Sequence, residues 1–174
     1  MKLGKFSIGV GDRFSHQGKA QLRAIMKANK SGLEINPVWN KSNREHTYVY
    51  SEPVDTRKEA DDAVKALGYK GAYFVDADHI NLSTVDRFIA VSDFFTLDVA
   101  SFIGKPSAQK DIDKFIASCK KYMGDLHIPG IKKPISVTKE LLEEIAHKFL
   151  SATQQAADIY QYLVDKKGAG NFIT

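Results

Sequence analysis

The sequence contains one cysteine, no long apolar run and no apolar leader, and each absence excludes a class of protein. Cys119 alone cannot form an internal disulfide, which excludes a small secreted scaffold held together by disulfides. No apolar run approaches the roughly 18 residues of a membrane-spanning helix. Met1 to Lys5 lead into no apolar region of the kind that secretory signals carry. We therefore expect a cytoplasmic protein with no membrane partner.

Basic blocks and nucleotide-binding motifs are also missing. The net charge is only +4, and no block of Lys or Arg exceeds two or three residues. Lysines spread in this way are typical of solvated helix faces, so we expect no nucleic-acid partner. The early glycines Gly4, Gly9 and Gly11 do not have dinucleotide-binding or P-loop spacing, so we expect no nucleotide cofactor.

What the sequence does contain is typical of a soluble α/β protein. With 174 residues, 43% of them hydrophobic and 26% charged, the chain can bury one sizeable core, and we expect a single domain over residues 1–174. Strand-like runs alternate with helical patterns over residues 1–105, which predicts βα units and a parallel sheet. The predicted strands are residues 6–10, 33–39, 72–75 and 93–99, and the predicted helices are residues 15–29 and 56–67 and a short helix from residue 83.

The regular alternation stops after residue 105. Residues 106–167 are predicted to form a helical extension, in which helices over about 108–122 and 138–166 flank a Pro/Gly-rich loop. Residues 170–174 are predicted to begin a fifth strand. About five strands cannot close an eight-stranded barrel, so we expect a partial TIM-like (β/α) barrel, with an open doubly wound sheet as the alternative. An exposed edge strand at the C-terminus would also favour self-association.

The most informative stretch is residues 72–79, an apolar run that ends in two carboxylates and an imidazole. Burying Asp76, Asp78 and His79 without partners would be costly, so we expect the strand to end before Asp76. At the carboxyl end of a parallel strand, these groups could hold a divalent cation or move a proton. The alternative is structural: Asp76 caps a turn, Asp78 caps the next helix, and His79 is a surface histidine.

Polar residues also follow the other predicted strands. Because a barrel carries its active site at the carboxyl ends of its strands, we expect these residues to share one rim. Arg13 or Arg44 could bind the carboxylate of an acidic ligand. An Asp12–Arg13 structural pair and a solvated turn over residues 40–46 are the alternatives. The predicted substrate-binding residues are Asp12, Arg13, Asn40, Arg44, Asp76 and Asp98.

Three ordered segments resemble the tagaturonate epimerase family of bacterial hexuronate catabolism. They are FSIGVGDRF at residues 6–14, YFVDADHI at residues 73–80 and FFTLDV at residues 94–99. The resemblance runs through the whole chain and is firmest over the first 105 residues. It implies a metal-dependent isomerase on a TIM-barrel-like fold that interconverts tagaturonate and fructuronate, with a small-molecule sugar acid as its partner.

By position, the resemblance makes Asp78 the catalytic proton acceptor and His79 a ligand of a divalent metal ion of the zinc, manganese or nickel class. The family's other metal-binding histidines and its acid partner lie in motifs outside these residues, so we expect this chain to carry part of the site. The epimerised carbon is not adjacent to the ketone, so metal-assisted retro-aldol cleavage and direct deprotonation both stay open. A metal-dependent sugar-acid aldolase and a non-catalytic, sugar-acid-binding scaffold are the alternative functions.

Overall fold

The computed structural model describes all residues 1–174, and its main element is a four-stranded parallel sheet. The strands pair in sequence order, each beside the one before it in the chain. The predicted α/β class with parallel βα units is therefore confirmed. The elements are β1 (Phe6–Val10), α1 (Gly18–Asn29), β2 (Ile35–Ser42), α2 (Asn43–Tyr48), α3 (Pro53–Leu67), β3 (Phe74–Ile80) and β4 (Phe94–Leu97).

Beyond β4 the chain is mainly helical, but it also contains a β-hairpin. α4 (Gln109–Cys119) and α5 (Lys139–Lys167) correspond to the two predicted long helices. The segment between them, predicted to be a loop, holds β5 (Gly124–Leu126) and β6 (Ile135–Val137) as an antiparallel pair. Strands of three residues are too short to show a period-two pattern, which is why the sequence did not reveal them. Short 3₁₀ helices lie at Val85–Arg87, Ala100–Phe102 and Lys120–Tyr122.

The chain forms two compact units. Unit 1 comprises Met1–Asp98 and Ile159–Thr174, and unit 2 comprises Val99–Asp158. Unit 1 contains the parallel sheet, whereas unit 2 contains α4 and the hairpin. A compact unit need not fold independently, so the single domain stays a prediction. None of the helices combines the length and the apolar character that crossing a membrane requires.

One face of the sheet in unit 1 packs against α1 and α3. The buried cluster there consists of Leu22, Trp39, Ala60, Ala63 and Val75. Small alanines on α3 let the helix approach the sheet while the Trp39 ring fills the space between them. Since side chains alternate along a strand, the residues that follow Trp39 and Val75, namely Asn40 and Asp76, face the opposite side.

Two strands extend further than the sequence predicted. β3 includes residues 76–79, so these residues lie within the strand and not beyond its end. The burial of Asp76 is tolerated because Thr96 of β4 donates two hydrogen bonds to its carboxylate. β2 likewise runs to Ser42 and leads directly into α2, so the solvated turn that was the alternative for residues 40–46 is not formed.

The predicted fifth strand is reduced to one bridging residue. Ile173 pairs in parallel with Phe94 through backbone hydrogen bonds that involve Asp93 and Phe95, both 2.9 Å long. The ring of Phe172 meets that of Phe95 edge-on, with the centroids 5.9 Å apart. The C-terminal residues therefore lie beside β4, but four strands and a bridge replace the five strands expected.

Helix starts also differ from those predicted. α3 begins at Pro53 rather than at residue 56, because Glu52 and Asp55 form a reciprocal capping box one turn earlier. α1 begins at Gly18, three residues late, because a loop braced by Asp12 precedes it. The helix expected from residue 83 is a single 3₁₀ turn.

Candidate functional site

Polar side chains from the ends of the four parallel strands line two clefts in unit 1. We call the first the His79 cleft: it has a volume of about 390 Å³ and is lined by Ser42, Arg44, Glu45, Asp78, His79 and Asp98. We call the second the Arg13 cleft: it is lined by Gly11, Asp12, Arg13, Asn40, Lys41, Glu45 and Asp78. Every predicted site residue except Asp76 lines one of them. Asp78 and Glu45 line both.

A register shift in β3 brings Asp78 and His79 to the same cleft. Ala77 pairs with Phe95 and Ile80 with Leu97, so β3 advances three residues while β4 advances two. We call residues 77–80 the β3 bulge. His79 takes up the extra residue in a left-handed conformation, at φ 54°. Consecutive residues of a regular strand face opposite sides, whereas the bulge lets two neighbours face one cleft.

Asp78 and His79 form a hydrogen-bonded acid–imidazole pair. His79 Nδ1 lies 2.8 Å from Asp78 Oδ1, and the imidazole is largely exposed whereas the carboxylate is mostly covered. With the proton on Nδ1, the ring donates to the carboxylate and leaves the Nε2 lone pair available to a ligand. This is the usual second contact of a metal-binding histidine, and it leaves the other carboxylate oxygen available to accept a proton.

Asp76 lies beneath the clefts rather than in them. Only 6% of the residue is exposed. Its Oδ1 accepts from the Thr96 amide at 3.1 Å and its Oδ2 accepts from the Thr96 hydroxyl at 2.8 Å. Burial raises the pKa of Asp76 to about 6, because the hydrogen bonds from Thr96 only partly offset the lost hydration and the nearby charge of Asp78 adds to the rise.

Asp12 and Arg13 are not paired with each other. Both Asp12 oxygens accept backbone N–H groups, from residues 14, 16 and 17, which fixes the loop between β1 and α1. Burial by itself would raise the pKa of Asp12, but these hydrogen bonds outweigh it and hold the pKa below its ordinary value. Arg13 instead pairs with Glu45, with Nε and Oε1 3.5 Å apart. Arg13 therefore points to the clefts, while the Asp12 carboxylate is engaged by its own loop.

Glu45 and Lys41 line the clefts but are not among the predicted site residues. Glu45 accepts from the Ser42 backbone N–H and hydroxyl, and Ser42 caps the N-terminus of α2 in return. The Ser-x-x-Glu spacing of a capping box was visible in the sequence and could have identified this helix start. Lys41 is 2% exposed and donates to the Arg13 carbonyl. Burial lowers its pKa despite four nearby carboxylates, and no sequence signal distinguished it.

The remaining predicted residues are placed differently. Asn40 lies close to Gly11, the residue that follows β1. A Cβ at Gly11 would lie 2.6 Å from the Asn40 carbonyl oxygen, so the absence of a side chain at Gly11 permits this approach. Arg44 is exposed, and no hydrogen bond or ion pair within the chain engages its guanidinium. The backbone N–H of Asp98 donates to the Ile80 carbonyl at 2.8 Å, on the carboxyl side of the β3 bulge.

The chain does not contain a complete metal site. No group of three or more His, Cys, Asp or Glu side chains is arranged to hold a metal ion. The imidazole of His79 is one suitable donor, but a stable site for a zinc-class metal needs at least three protein ligands. The donors in this chain therefore fit part of such a site and not the whole.

These features define a class of protein. Parallel strands in sequence order, with acid, imidazole and guanidinium groups at their carboxyl ends, are the arrangement of enzymes built from βα units. The chain belongs to the tagaturonate epimerase family, because the family model for tagaturonate epimerase (UxaE) matches residues 1–172. None of the curated protein sequences matches it.

Three of the solved structures that share the fold are crystal structures of the fructuronate-tagaturonate epimerase UxaE from Cohnella laeviribosi. The form with one glycerol has a TM-score of 0.72 at 19% identity over 97% of this chain. The form with two glycerols has a TM-score of 0.69 at 18% identity over 99%, and the native form has 0.67 at 18% identity over 97%. This chain spans 36–37% of the length of those proteins.

Proposed function

We propose that this chain forms part of a sugar-acid epimerase that interconverts tagaturonate and fructuronate. Membership of the tagaturonate epimerase family over residues 1–172 supports this activity. The structural observation that carries it is the Asp78–His79 pair, which the β3 bulge presents to a cleft lined by polar groups. An acid and an imidazole beside each other, with one carboxylate oxygen available, suit proton transfer on a polar small molecule.

Asp78 is the proposed proton acceptor. Its Oδ1 is oriented by His79 Nδ1, and its second oxygen makes no hydrogen bond within the chain. It would take either the hydroxyl proton that starts retro-aldol cleavage or the proton on the epimerised carbon itself. Solvent deuterium appearing at that carbon during turnover would indicate the second route, and trapped fragments would indicate the first.

We also propose that His79 is one ligand of a divalent metal ion of the zinc, manganese or nickel class. Support comes from the exposed Nε2 side of the ring and from the carboxylate bonded to Nδ1. The further ligands would come from outside these 174 residues. A bound ion of this class would supply Lewis-acid stabilisation of charge on the substrate oxygens.

The substrate carboxylate is proposed to bind at the arginines beside the clefts. Arg44 lines the His79 cleft and has no partner in the chain. Arg13 lines the Arg13 cleft and is bound only loosely to Glu45. A guanidinium matches the two oxygens of a carboxylate. Asn40 and Asp98 are proposed to contact the hydroxyl groups of the same ligand.

The fold is proposed to be part of a TIM-like barrel. The strand order β1-β2-β3-β4, without a reversal, supports this, because a doubly wound sheet changes direction at a switch point.

The first strand, β1, has one unpaired edge, and about half of Phe6 and half of Ile8 are exposed on one of its faces. We propose that the 174-residue chain on its own associates with a second copy there, at the edge that a closed barrel would pair with a further strand. We also propose that the protein acts in the cytoplasm.

Activity is tested by following fructuronate with the complete protein by NMR. We expect tagaturonate to form, and Asp78→Asn to lower the rate by about a hundredfold to ten-thousandfold if this residue is the base. Asp125→Asn, an exposed carboxylate on the hairpin, is the matched control and should leave the rate unchanged. Full activity in Asp78→Asn would exclude the assignment.

The two alternative functions are distinguished by their products. An aldolase would yield smaller fragments as net products, and a binding scaffold would bind the sugar acid without converting it. Metal content of the purified complete protein is measured beside that of His79→Ala. Equal metal content in the two proteins would exclude His79 as a ligand.

Sedimentation of the 174-residue chain tests its self-association at β1, which Ile8→Asp is expected to abolish.

A further inference from the structure

At the β3 bulge two residues of β3, Asp78 and His79, lie against one residue of β4, Thr96, while Ala77 and Asp78 pair with Lys41 and Ser42 of β2. A left-handed backbone at a non-glycine residue is strained, and here the strain falls on His79. Opposite the bulge, β4 is regular between Phe95 and Leu97. The pairing with β2 ends at Asp78, so without a further interaction between β3 and β4 the extra residue can shift along β3. Such a shift would turn Asp78 and His79 to other faces.

Side-chain and backbone bonds hold β3 to β4 on both sides of the bulge. On the carboxyl side, the Asp98 N–H donates to the Ile80 carbonyl at 2.8 Å. On the amino side, the Thr96 N–H and hydroxyl both donate to the Asp76 carboxylate, at 3.1 and 2.8 Å. The second contact reaches across the shift: Asp76 pairs with Phe94 in the ladder, but its carboxylate bonds to Thr96, the β4 residue opposite the bulge.

The position of Asp76 is unsuited to contact with a ligand. It is 6% exposed, it lines neither cleft, and both of its oxygens are bonded to Thr96. No Lys, Arg or His forms an ion pair with it. A buried carboxylate whose hydrogen bonds all go to the neighbouring strand fixes the position of that strand relative to its own.

We infer that Asp76 is a positioning residue: by binding Thr96 it fixes the β3 bulge, and thereby the orientation of Asp78 and His79. This replaces a substrate contact as the role of Asp76. The importance of Asp78 and His79 to the reaction rests on the proposed function, whereas the link between Asp76 and the bulge does not. The two can therefore fail separately.

The test uses the 174-residue chain and the nitrogen resonances of the His79 imidazole. Asp76→Asn keeps an oxygen for the Thr96 N–H and an amide for the hydroxyl, so it should preserve the wild-type His79 spectrum. Asp76→Ala and Thr96→Val should both change it and speed hydrogen exchange at the Asp98 amide about tenfold. Thr56→Val is the matched control, because its hydroxyl is buried on α3 without a partner and makes no hydrogen bond to β3 or β4.

Three outcomes would overturn the inference. The first is a wild-type His79 spectrum and wild-type exchange at Asp98 in folded Asp76→Ala. The second is an Asp76→Asn spectrum as altered as that of Asp76→Ala, which would assign the effect to charge. The third applies if Asp76→Ala does not fold: Thr96→Val then decides, and an unchanged His79 spectrum in that variant rejects the role. If the complete protein lacks epimerase activity while these spectra follow the expectation, only the proposed function fails.

Discussion

His79 combines a functional group with a backbone conformation that favours glycine. At φ 54° the Cβ of any L-residue is strained, and only glycine avoids this cost. The strained backbone at residue 79 therefore lowers the stability of the fold, and it is at this strained position that the predicted site has its imidazole. Strain of this kind is concentrated at functional positions, which agrees with the proposed role of the residue.

We predict that His79→Gly is more stable than His79→Ala by about 1 kcal/mol. Both variants lack the imidazole and its hydrogen bond to Asp78, but alanine retains the Cβ that is strained at positive φ. Urea denaturation of the two variants measures the difference. Equal stability, or a more stable alanine variant, would show that the left-handed conformation at residue 79 carries no strain.

Among the helices, α2 is the element whose position controls both clefts. Ser42 ends β2, caps α2 and bonds to Glu45, and the neighbouring Arg44 lines the His79 cleft. A six-residue helix has little intrinsic stability, so its first turn depends on this cap. Loss of the cap would loosen Glu45 and the ion pair that it makes with Arg13.

We predict that Ser42→Ala lowers the free energy of unfolding by about 1–2 kcal/mol, because it removes the acceptor of the Glu45 N–H and the donor to the Glu45 carboxylate. Thr47→Ala is the control on the same helix, since its hydroxyl bonds only to the Asn43 carbonyl and is exposed. Thermal unfolding of both variants provides the comparison. A Ser42→Ala effect no larger than that of Thr47→Ala would contradict the capping role.

Element order was largely predictable from the sequence, whereas the site's geometry was not. β1 and the alternation with helices follow from short-range patterns and were predicted correctly. The extension of β3 through Asp76 was missed, because its burial depends on Thr96, twenty residues away, and pattern reasoning does not include such pairings. The β3 bulge was missed for the same reason: it exists only relative to β4. The roles of the predicted site residues stay predictions.

At the scale of the whole molecule, two buried groups give stability opposite dependences on pH. Burial lowers the pKa of His46 from 6.5 to about 4, with the charges of Lys41 and Arg87 adding to the effect. Between pH 6.5 and about pH 4 the unfolded chain therefore binds more protons at His46 than the folded chain does, so stability is lost as pH falls from 6.5 towards 4. For Asp76, whose pKa rises from 3.8 to about 6, stability is instead lost as pH rises from about 4 to 6.

We predict that Asp76→Asn is more stable than the wild type at pH 7 by about 3 kcal/mol, and that this gain disappears by about pH 4. Asparagine keeps the contacts to Thr96 but carries no charge to bury. His46→Gln is the counterpart: its free energy of unfolding should rise relative to that of the wild type only when the pH falls below about 6.5. Urea unfolding at a series of pH values measures both differences. A gain for Asp76→Asn that is independent of pH would contradict the prediction.

The β3 bulge also makes the number of residues in a strand decide whether the acid–imidazole pair forms. Removing residue 79 would restore equal steps along β3 and β4, keep Ile80 in its buried position and leave Asp78 facing the clefts. The sheet would persist, but the acid would have lost its imidazole. When relatives of this chain are aligned, a one-residue gap at this position therefore marks a protein with the same fold and without this acid–imidazole pair, even if every other motif matches.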